Sequence, residues 1–349
     1  MTNTNKLLKA LILDQRNTAN IYKPGPYWSR KTLSAVRELE KNGLNNFRSS
    51  DDVNTAATAF GDNTPIDARM IIETSSIQNK LGLAILNHTP LKKLFDFQVN
   101  LTRTYHNKLI NFEKNNLALT KPDRLSELIN RYKINDSINF GCDKISKFKE
   151  KDYSTYYLQI LDILDFVEKN STLNGLHSLL EIGPGFGANI HLIEQNYPEI
   201  RKFIAVDIVP NVWVVTEYLK SIYGESVKDY LTTREMKEIR FKDDMSLEIF
   251  VIPTWQIEKI TSSIDCFWNS NSFVEMTPNI LKNYAKNLTR IRTDRTVYNF
   301  ISYDKFDLKT TFHPDLIPDY FKDVKFQKSR HPSLVKDEHE NYFYCGKLT

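Results

Sequence analysis

Cysteine is scarce in this chain of 349 residues: Cys142, Cys266 and Cys345 are the whole supply, with no Cys-x-x-Cys pair and no even set. That excludes a disulfide-stapled scaffold, leaves inert thiols as the default, and points to a reducing compartment. Long apolar runs are missing too. In the opening "MTNTNKLLKALILDQRN", Asp14 and Gln15 cut the apolar stretch below the length of a signal-peptide core or a membrane span. A soluble, cytoplasmic protein with no membrane span is expected. Nor does one sign of charge prevail: 47 Lys and Arg stand against 43 Asp and Glu, a net charge of +4, with the two signs interleaved. A dedicated nucleic-acid binder would carry a clustered basic stripe, so no nucleic-acid partner is expected.

What is present is an ordinary globular composition, 41% hydrophobic, 26% charged and 12% aromatic, far from the signature of disorder. The length suits two structural parts and a sizeable core. Residues 1–150 read as mostly α-helical. "WSRKTLSAVRELEKNG" has Ser29 as a cap, apolar Leu33, Val36 and Leu39, and Gly43 as a stop. Further helical runs follow over 74–87, 90–115 and 123–133. The run "KDYSTYYLQILDILDFVEKN" sets Tyr156, Tyr157, Ile160, Ile163, Leu164 and Val167 on one helical face. A boundary near residue 150 fits this change.

From 151 to 349 strand and helix patterns alternate. Strands are expected over 178–182, 203–206, "SLEIFVIP", 264–269 and 297–303, and helices over 188–196, 212–223 and 280–287. That alternation is the signature of a doubly wound α/β parallel sheet. The end differs: "VKFQKSRHP" and "ENYFYCGKL" predict an antiparallel hairpin closing the sheet.

Glycine totals only 11 residues, yet three fall within five positions in "HSLLEIGPGFGANIHLI". Such a turn between a first strand and a first helix lets backbone N–H groups approach a ligand with no Cβ in the way. Gly183, Gly185 and Ala188 satisfy the relaxed dinucleotide form G-x-G-x-x-G/A, with Asp207 about twenty residues on. The glycines alone do not decide between a nicotinamide dinucleotide and another cofactor.

"LLEIGPGFGANI" resembles motif I of class I S-adenosylmethionine-dependent methyltransferases, with Glu181 as the acid and Gly183, Gly185 and Gly187 as the glycines. "FIAVDIVP" is similar to the second-strand motif, in which the acid, here Asp207 followed by Ile208, accepts from both ribose hydroxyls. A carboxylate suits a cis-diol. "VIPTWQIEKI" falls where that family's third strand ends, so Trp255 and Gln256 would cover and hydrogen-bond the adenine; a half-buried core Trp255 stays equally open. The resemblance spans about residues 150 to 349. It implies a Rossmann-like methyltransferase sheet, behind the helical N-terminal region, with S-adenosylmethionine as cofactor. More narrowly, "IDCFWNSNSFVEM" and "GLNNFR" resemble the sugar O-methyltransferases called NanM-type. This implies transfer of a methyl group to a hydroxyl of a sugar or glycan precursor, free or nucleotide-linked, in polysaccharide biosynthesis.

In open α/β sheets the ligand lies beyond the carboxyl ends of the strands, so the loop from Asn269 to Glu275 should face the reacting methyl. Asn269 is assigned to the cofactor, Asn271 and Ser272 to the acceptor. The resemblance also bears on the acceptor atom: base-amine methyltransferases carry a Pro pair in this loop, absent here, and pyrimidine-carbon ones need a nucleophilic Cys, whereas Cys266 lies within the strand. Oxygen is therefore favoured. A sugar hydroxyl needs a general base within hydrogen-bond reach. Glu275 and His313 are the candidates, with His331 behind them, although Glu275 could equally serve a backbone N–H. No metal is expected, because the loop has no aspartate cluster and Asp243 and Asp244 suit a solvated turn. Tyr22, Tyr27, Trp28, Arg103, Tyr105 and His106 offer a lid or core packing, and "NFGCDK", 139–144, a cofactor contact. The alternatives are an RNA or protein methyltransferase, a catalytically inactive methyltransferase-fold binding protein, and a nicotinamide-dependent dehydrogenase.

Overall fold

The computed structural model describes residues 3–25, 28–29, 43–44, 122–134, 146–148, 151–153, 155–303, 311–331 and 341–349. The helices expected over 74–87 and 90–115, the interior of the one ending at Gly43, the 139–144 segment, and Tyr27, Arg103, Tyr105, His106 and Cys142 lie outside those residues.

The C-terminal two hundred residues or so form the expected doubly wound sheet. Its strands are β3 (Ser178–Ile182), β4 (Lys202–Asp207), β5 (Val227–Lys228), β6 (Glu248–Pro253), β7 (Ile264–Ser270), β8 (Arg292–Tyr303), β9 (Val324–His331) and β10 (Asn341–Leu348). They lie in the order β5-β6-β4-β3-β7-β8-β10-β9. Every pairing from β5 to β8 is parallel, whereas β10 runs antiparallel to both β8 and β9 between them. The C-terminal hairpin thus closes the sheet with its second strand inserted rather than added at the edge.

Side-chain alternation explains the layers. Leu179, Phe203, Ala205, Ile249, Val251, Cys266 and Trp268 face one side, while Leu180, Ile182, Ile204, Val206, Phe250, Ile252 and Phe267 face the other. All the residues of β3, β4 and β6 are buried, as expected of parallel strands covered on both faces. The first face is covered by α3 (Thr155–Asn170), α4 (Ala188–Asn196) and α5 (Asn211–Tyr223). The second is covered chiefly by α7 (Pro278–Ile291), whose Leu281, Tyr284, Ala285, Leu288 and Ile291 recur at helical spacing.

Two described helices of the first 150 residues join the first face. From α1 (Asn3–Arg16), Leu7, Leu8 and Leu11 enter its core, and from α2 (Pro122–Arg131), Leu125 and Leu128 do so. Charge fixes α2 further: Arg124 pairs with Asp162 and Asp165, and Arg131 with Asp165 and Glu168, all three acids on α3.

The structure adds elements that periodicity did not show. A hairpin of β1 (Ser146–Phe148) and β2 (Lys151–Tyr153) straddles residue 150. Between α5 and β6 lie β5 and a single turn, α6 (Tyr230–Thr233). Strands of two or three residues are too short to carry a period. β8 also begins at Arg292, five residues before the expected start, because its first four residues are polar and only partly buried or exposed.

Candidate functional site

The site grows from the turn leaving β3. Gly183, Gly185 and Gly187 all take left-handed backbone angles, with φ of 71°, 62° and 99°, a region that L side chains adopt at a cost of about 1 kcal/mol or more. Gly183 has a second reason to be glycine: a Cβ there would sit 2.4 Å from Ser272 Oγ and 2.6 Å from its Cβ. Gly187 ends the turn by entering α4, and its missing Cβ makes room for Val215 and Leu219 of α5. This turn lies at the sheet's switch point, where β3 has β4 on one side and β7 on the other. Ligands of open α/β sheets bind at such a point.

Two acids mark the carboxyl ends of β3 and β4. Glu181 is fully buried. Its Oε1 accepts from Asn189 Nδ2 of α4 at 2.6 Å, and its Oε2 is buried with no hydrogen-bond partner among the described residues. Desolvation, aided by the charge of Asp207, pushes its carboxyl up to about 8. Asp207 lies on the same face of the sheet. Its Oδ1 accepts from the Ile208 N–H at 2.7 Å and from Asn211 Nδ2 at 3.3 Å, and its Oδ2 from the Gly185 N–H at 3.3 Å. Burial dominates there too and raises it to about 7, with the charge of Glu275 contributing.

The loop after β7 closes onto the glycine turn. Asn269 Nδ2 donates to the Ile182 carbonyl at 2.7 Å and to Ser272 Oγ, and its Oδ1 accepts from the Phe273 N–H at 3.2 Å. Ser272 Oγ also reaches the Ile182 carbonyl at 3.2 Å. Asn271 takes a positive φ of 68° and binds the loop to β8, its Oδ1 accepting from the Tyr303 N–H at 3.1 Å. Asn is among the few residues that adopt this conformation readily. Asn269, Asn271 and Ser272, all expected at the site, are therefore brought together beside Gly183, each engaged in shaping the loop.

Glu275 is clasped from two directions. Oε1 accepts from the Tyr303 hydroxyl of β8 at 2.8 Å and Oε2 from the indole N–H of Trp28 at 2.8 Å. Its backbone is approached by Gly25, where a Cβ would lie 3.4 Å from the Glu275 carbonyl. Thr254, just past β6, donates to the Tyr22 carbonyl at 2.5 Å. The described residues from Tyr22 to Ser29 thus run across the carboxyl edge of the sheet from β6 to the loop after β7. Tyr22 and Trp28 were expected at a lid or in a core; that Trp28 would reach Glu275, 247 residues away, had no signal in the sequence. Tyr303 was likewise missed, having been read only as a strand end.

The remaining candidates stand apart from this cluster. Trp255 is half-buried, edge-on to Tyr230 at 5.6 Å, with its N–H donating to the Tyr230 hydroxyl at 3.3 Å. Gln256 is buried and its Oε1 accepts from Thr233 at 2.8 Å. Both follow β6 directly, beside the strand that carries Asp207. His313 is exposed and turned toward Asp315, whose N–H donates to its Nδ1 at 3.3 Å. The backbone leading to it is tied to the loop after β7, since the Thr311 N–H donates to the Val274 carbonyl at 2.7 Å. His331 ends β9 opposite Asn341. Asp244 is held by Lys202 and Ser246, whose hydrogen bonds take its carboxyl down to about 2.

Strand order and strand polarity make this a Rossmann-like sheet of the kind found in class I methyltransferases, with its reversed strand next to last. No family model matches the chain, and no curated protein matches it. Solved structures similar to it include an S-adenosylmethionine-dependent methyltransferase from Clostridium acetobutylicum, 12% identical over 54% of this chain and 90% of that one, TM-score 0.37. Another from Aquifex aeolicus is 13% identical over 56% and 94%, TM-score 0.38. Mitomycin 7-O-methyltransferase is 9% identical over 55% and 54%, TM-score 0.38.

Proposed function

We propose that the protein transfers a methyl group from S-adenosylmethionine to a hydroxyl of a sugar or glycan precursor. The observation that carries the cofactor assignment is the constellation at the switch point: three left-handed glycines between a buried acid on β3 and a second on β4. The residues present fit the group. Glu181 Oε2 is a buried acceptor with no donor among the described residues, which an ammonium would satisfy. Asp207 has three of about four acceptor positions in use, two of them at 3.3 Å, so a ribose diol displaces a long contact rather than a strong one.

S-adenosylmethionine supplies an electrophilic methyl on a sulfonium. The chain's own part is to hold the acceptor in line with it, exclude water and take the hydroxyl proton. Glu275 is assigned that proton. Tyr303 and Trp28 fix the direction of its carboxylate, and the segment carrying Trp28 shields the carboxyl edge of the sheet. The sugar acceptor rests on the likeness of "IDCFWNSNSFVEM" to sugar O-methyltransferases and on the lack of a Pro pair after β7. A cytoplasmic location goes with a soluble acceptor, and no helix among the described residues is long and apolar enough to cross a membrane.

The test is transfer of labelled methyl from S-adenosylmethionine into host extract, separated into nucleotide-sugar and polysaccharide, RNA and protein pools. Label in carbohydrate supports the proposal; label confined to RNA or protein overturns the acceptor. For the cofactor, S-adenosylhomocysteine should raise the melting temperature and NAD should not. Asp207→Ala should weaken cofactor binding by about tenfold or more, since a hydrogen bond to a charged group contributes about 1.5 to 3 kcal/mol.

A further inference from the structure

Glu181 and Asp207 form a buried acidic pair with no cation beside it among the described residues. The donors to Glu181 and Asp207 are Asn189, Asn211 and the N–H groups of Gly185 and Ile208, all neutral. Among the described residues, the ionisable groups whose charge bears on the pair are Cys266 of β7 for Glu181, and Glu275 of the loop after β7 and Tyr284 of α7 for Asp207. Each of these is neutral or negative. One oxygen of Glu181 has no donor among the described residues.

Two carboxylates cannot both remain charged in such surroundings at neutral pH without a counter-charge. Without ligand, the pair therefore retains a proton. The ammonium that donor and product share offsets one of the two negative charges, and only a further positive charge on the ligand removes the need for the proton.

Resting on the cofactor assignment above, we propose that the Glu181–Asp207 pair distinguishes the methyl donor from its spent product by charge. S-adenosylmethionine and S-adenosylhomocysteine share their adenosine and amino-acid parts and differ by one methyl and one positive charge at sulfur. Binding of the cationic donor expels the retained proton to solvent. Once the methyl has gone to the acceptor, the sulfur is neutral, the pair takes a proton back, and the product is held less tightly. Proton uptake by the protein thereby drives exchange of spent product for fresh donor.

Calorimetric titration of the whole chain with each ligand, in two buffers of different ionisation enthalpy, counts the protons released. Near pH 7 the donor should release up to about one proton more than the product. The ratio of the two affinities should shift toward the donor as pH rises, by up to about tenfold per unit while the pair titrates. Glu181→Gln should abolish the excess release and flatten the ratio, and Asp207→Asn should do so by a separate substitution. Equal proton release with both ligands in the wild-type chain overturns the inference, whatever the variants do. If neither ligand binds, it is the cofactor assignment that fails.

Discussion

At the scale of single residues, Gly183 is where backbone and packing constraints coincide. Its positive φ and the Ser272 side chain 2.4 Å from any Cβ mean that Gly183→Ala strains the turn and pushes the loop after β7 away. The expected cost is about 1 to 3 kcal/mol, visible as a lower melting temperature, with cofactor binding lost as well. The buried ionisable groups predict a pH dependence. Glu181 and Asp207 are raised to about 8 and about 7, so the folded ligand-free chain binds protons that the unfolded chain releases. Their contribution is present below the ordinary carboxylate range and is lost as pH rises through those values. His191, lowered by burial to about 4, acts oppositely, favouring folding above its ordinary 6.5 and less so below. Between about pH 6.5 and 8 the carboxyls dominate, so stability should fall with rising pH, and thermal unfolding of Glu181→Gln should show a shallower slope. At this scale the glycines, Glu181 and Asp207 were legible, because a turn that excludes side chains and an acid at a strand end both leave a local spelling. The donors on Glu275 were not legible, because nothing in a strand-end tyrosine or a distant tryptophan announces its partner.

At the scale of elements, periodicity located the long helices and buried strands of the sheet, and it failed where elements are too short or too polar to repeat. β5 and the β1–β2 hairpin are of the first kind, and the polar start of β8 is of the second. The described residues between Tyr22 and Ser29 meet the sheet edge through the Thr254 bond to Tyr22, the close approach of Gly25, and the Trp28 bond to Glu275, among other contacts. Trp28→Phe keeps an aromatic ring and removes the bond to Glu275. It should leave the melting temperature within a few degrees while speeding protease cleavage in this segment, and bound S-adenosylhomocysteine should slow cleavage of the wild type. Unchanged proteolysis in both comparisons would show that the bond does not fasten the segment. The α2–α3 contact has the opposite character, a cluster in which Asp165, with no exposed side-chain surface, meets Arg124, Arg131 and Lys169. Asp165→Ala leaves those cations facing each other and should cost about 3 to 5 kcal/mol, read by chemical denaturation.

At the scale of the whole molecule, the described parts of the first 150 residues are built into the same core as the sheet. Leu11 of α1 is fully buried among residues of α5 and the strands, and Tyr230 of α6 donates to Asp14 at 2.6 Å. Leu11→Ala should therefore destabilise the entire sheet by about 2 to 5 kcal/mol, in a single unfolding transition rather than two. What docks on what was not legible in the sequence, since an amphipathic helix does not specify which apolar face it will cover.

The inserted strand carries a consequence for how the chain is made. β9 meets the rest of the sheet only through β10, and β10 occupies the slot between β8 and β9. During synthesis β8 leaves the ribosome with a bare parallel edge, and β9 follows with nothing to pair to until residues 341–348 emerge. The sheet is thus finished from within by a strand made after both of its neighbours. Until then the nascent chain exposes two unsatisfied strand edges, which is when it is most open to mispairing with a neighbour.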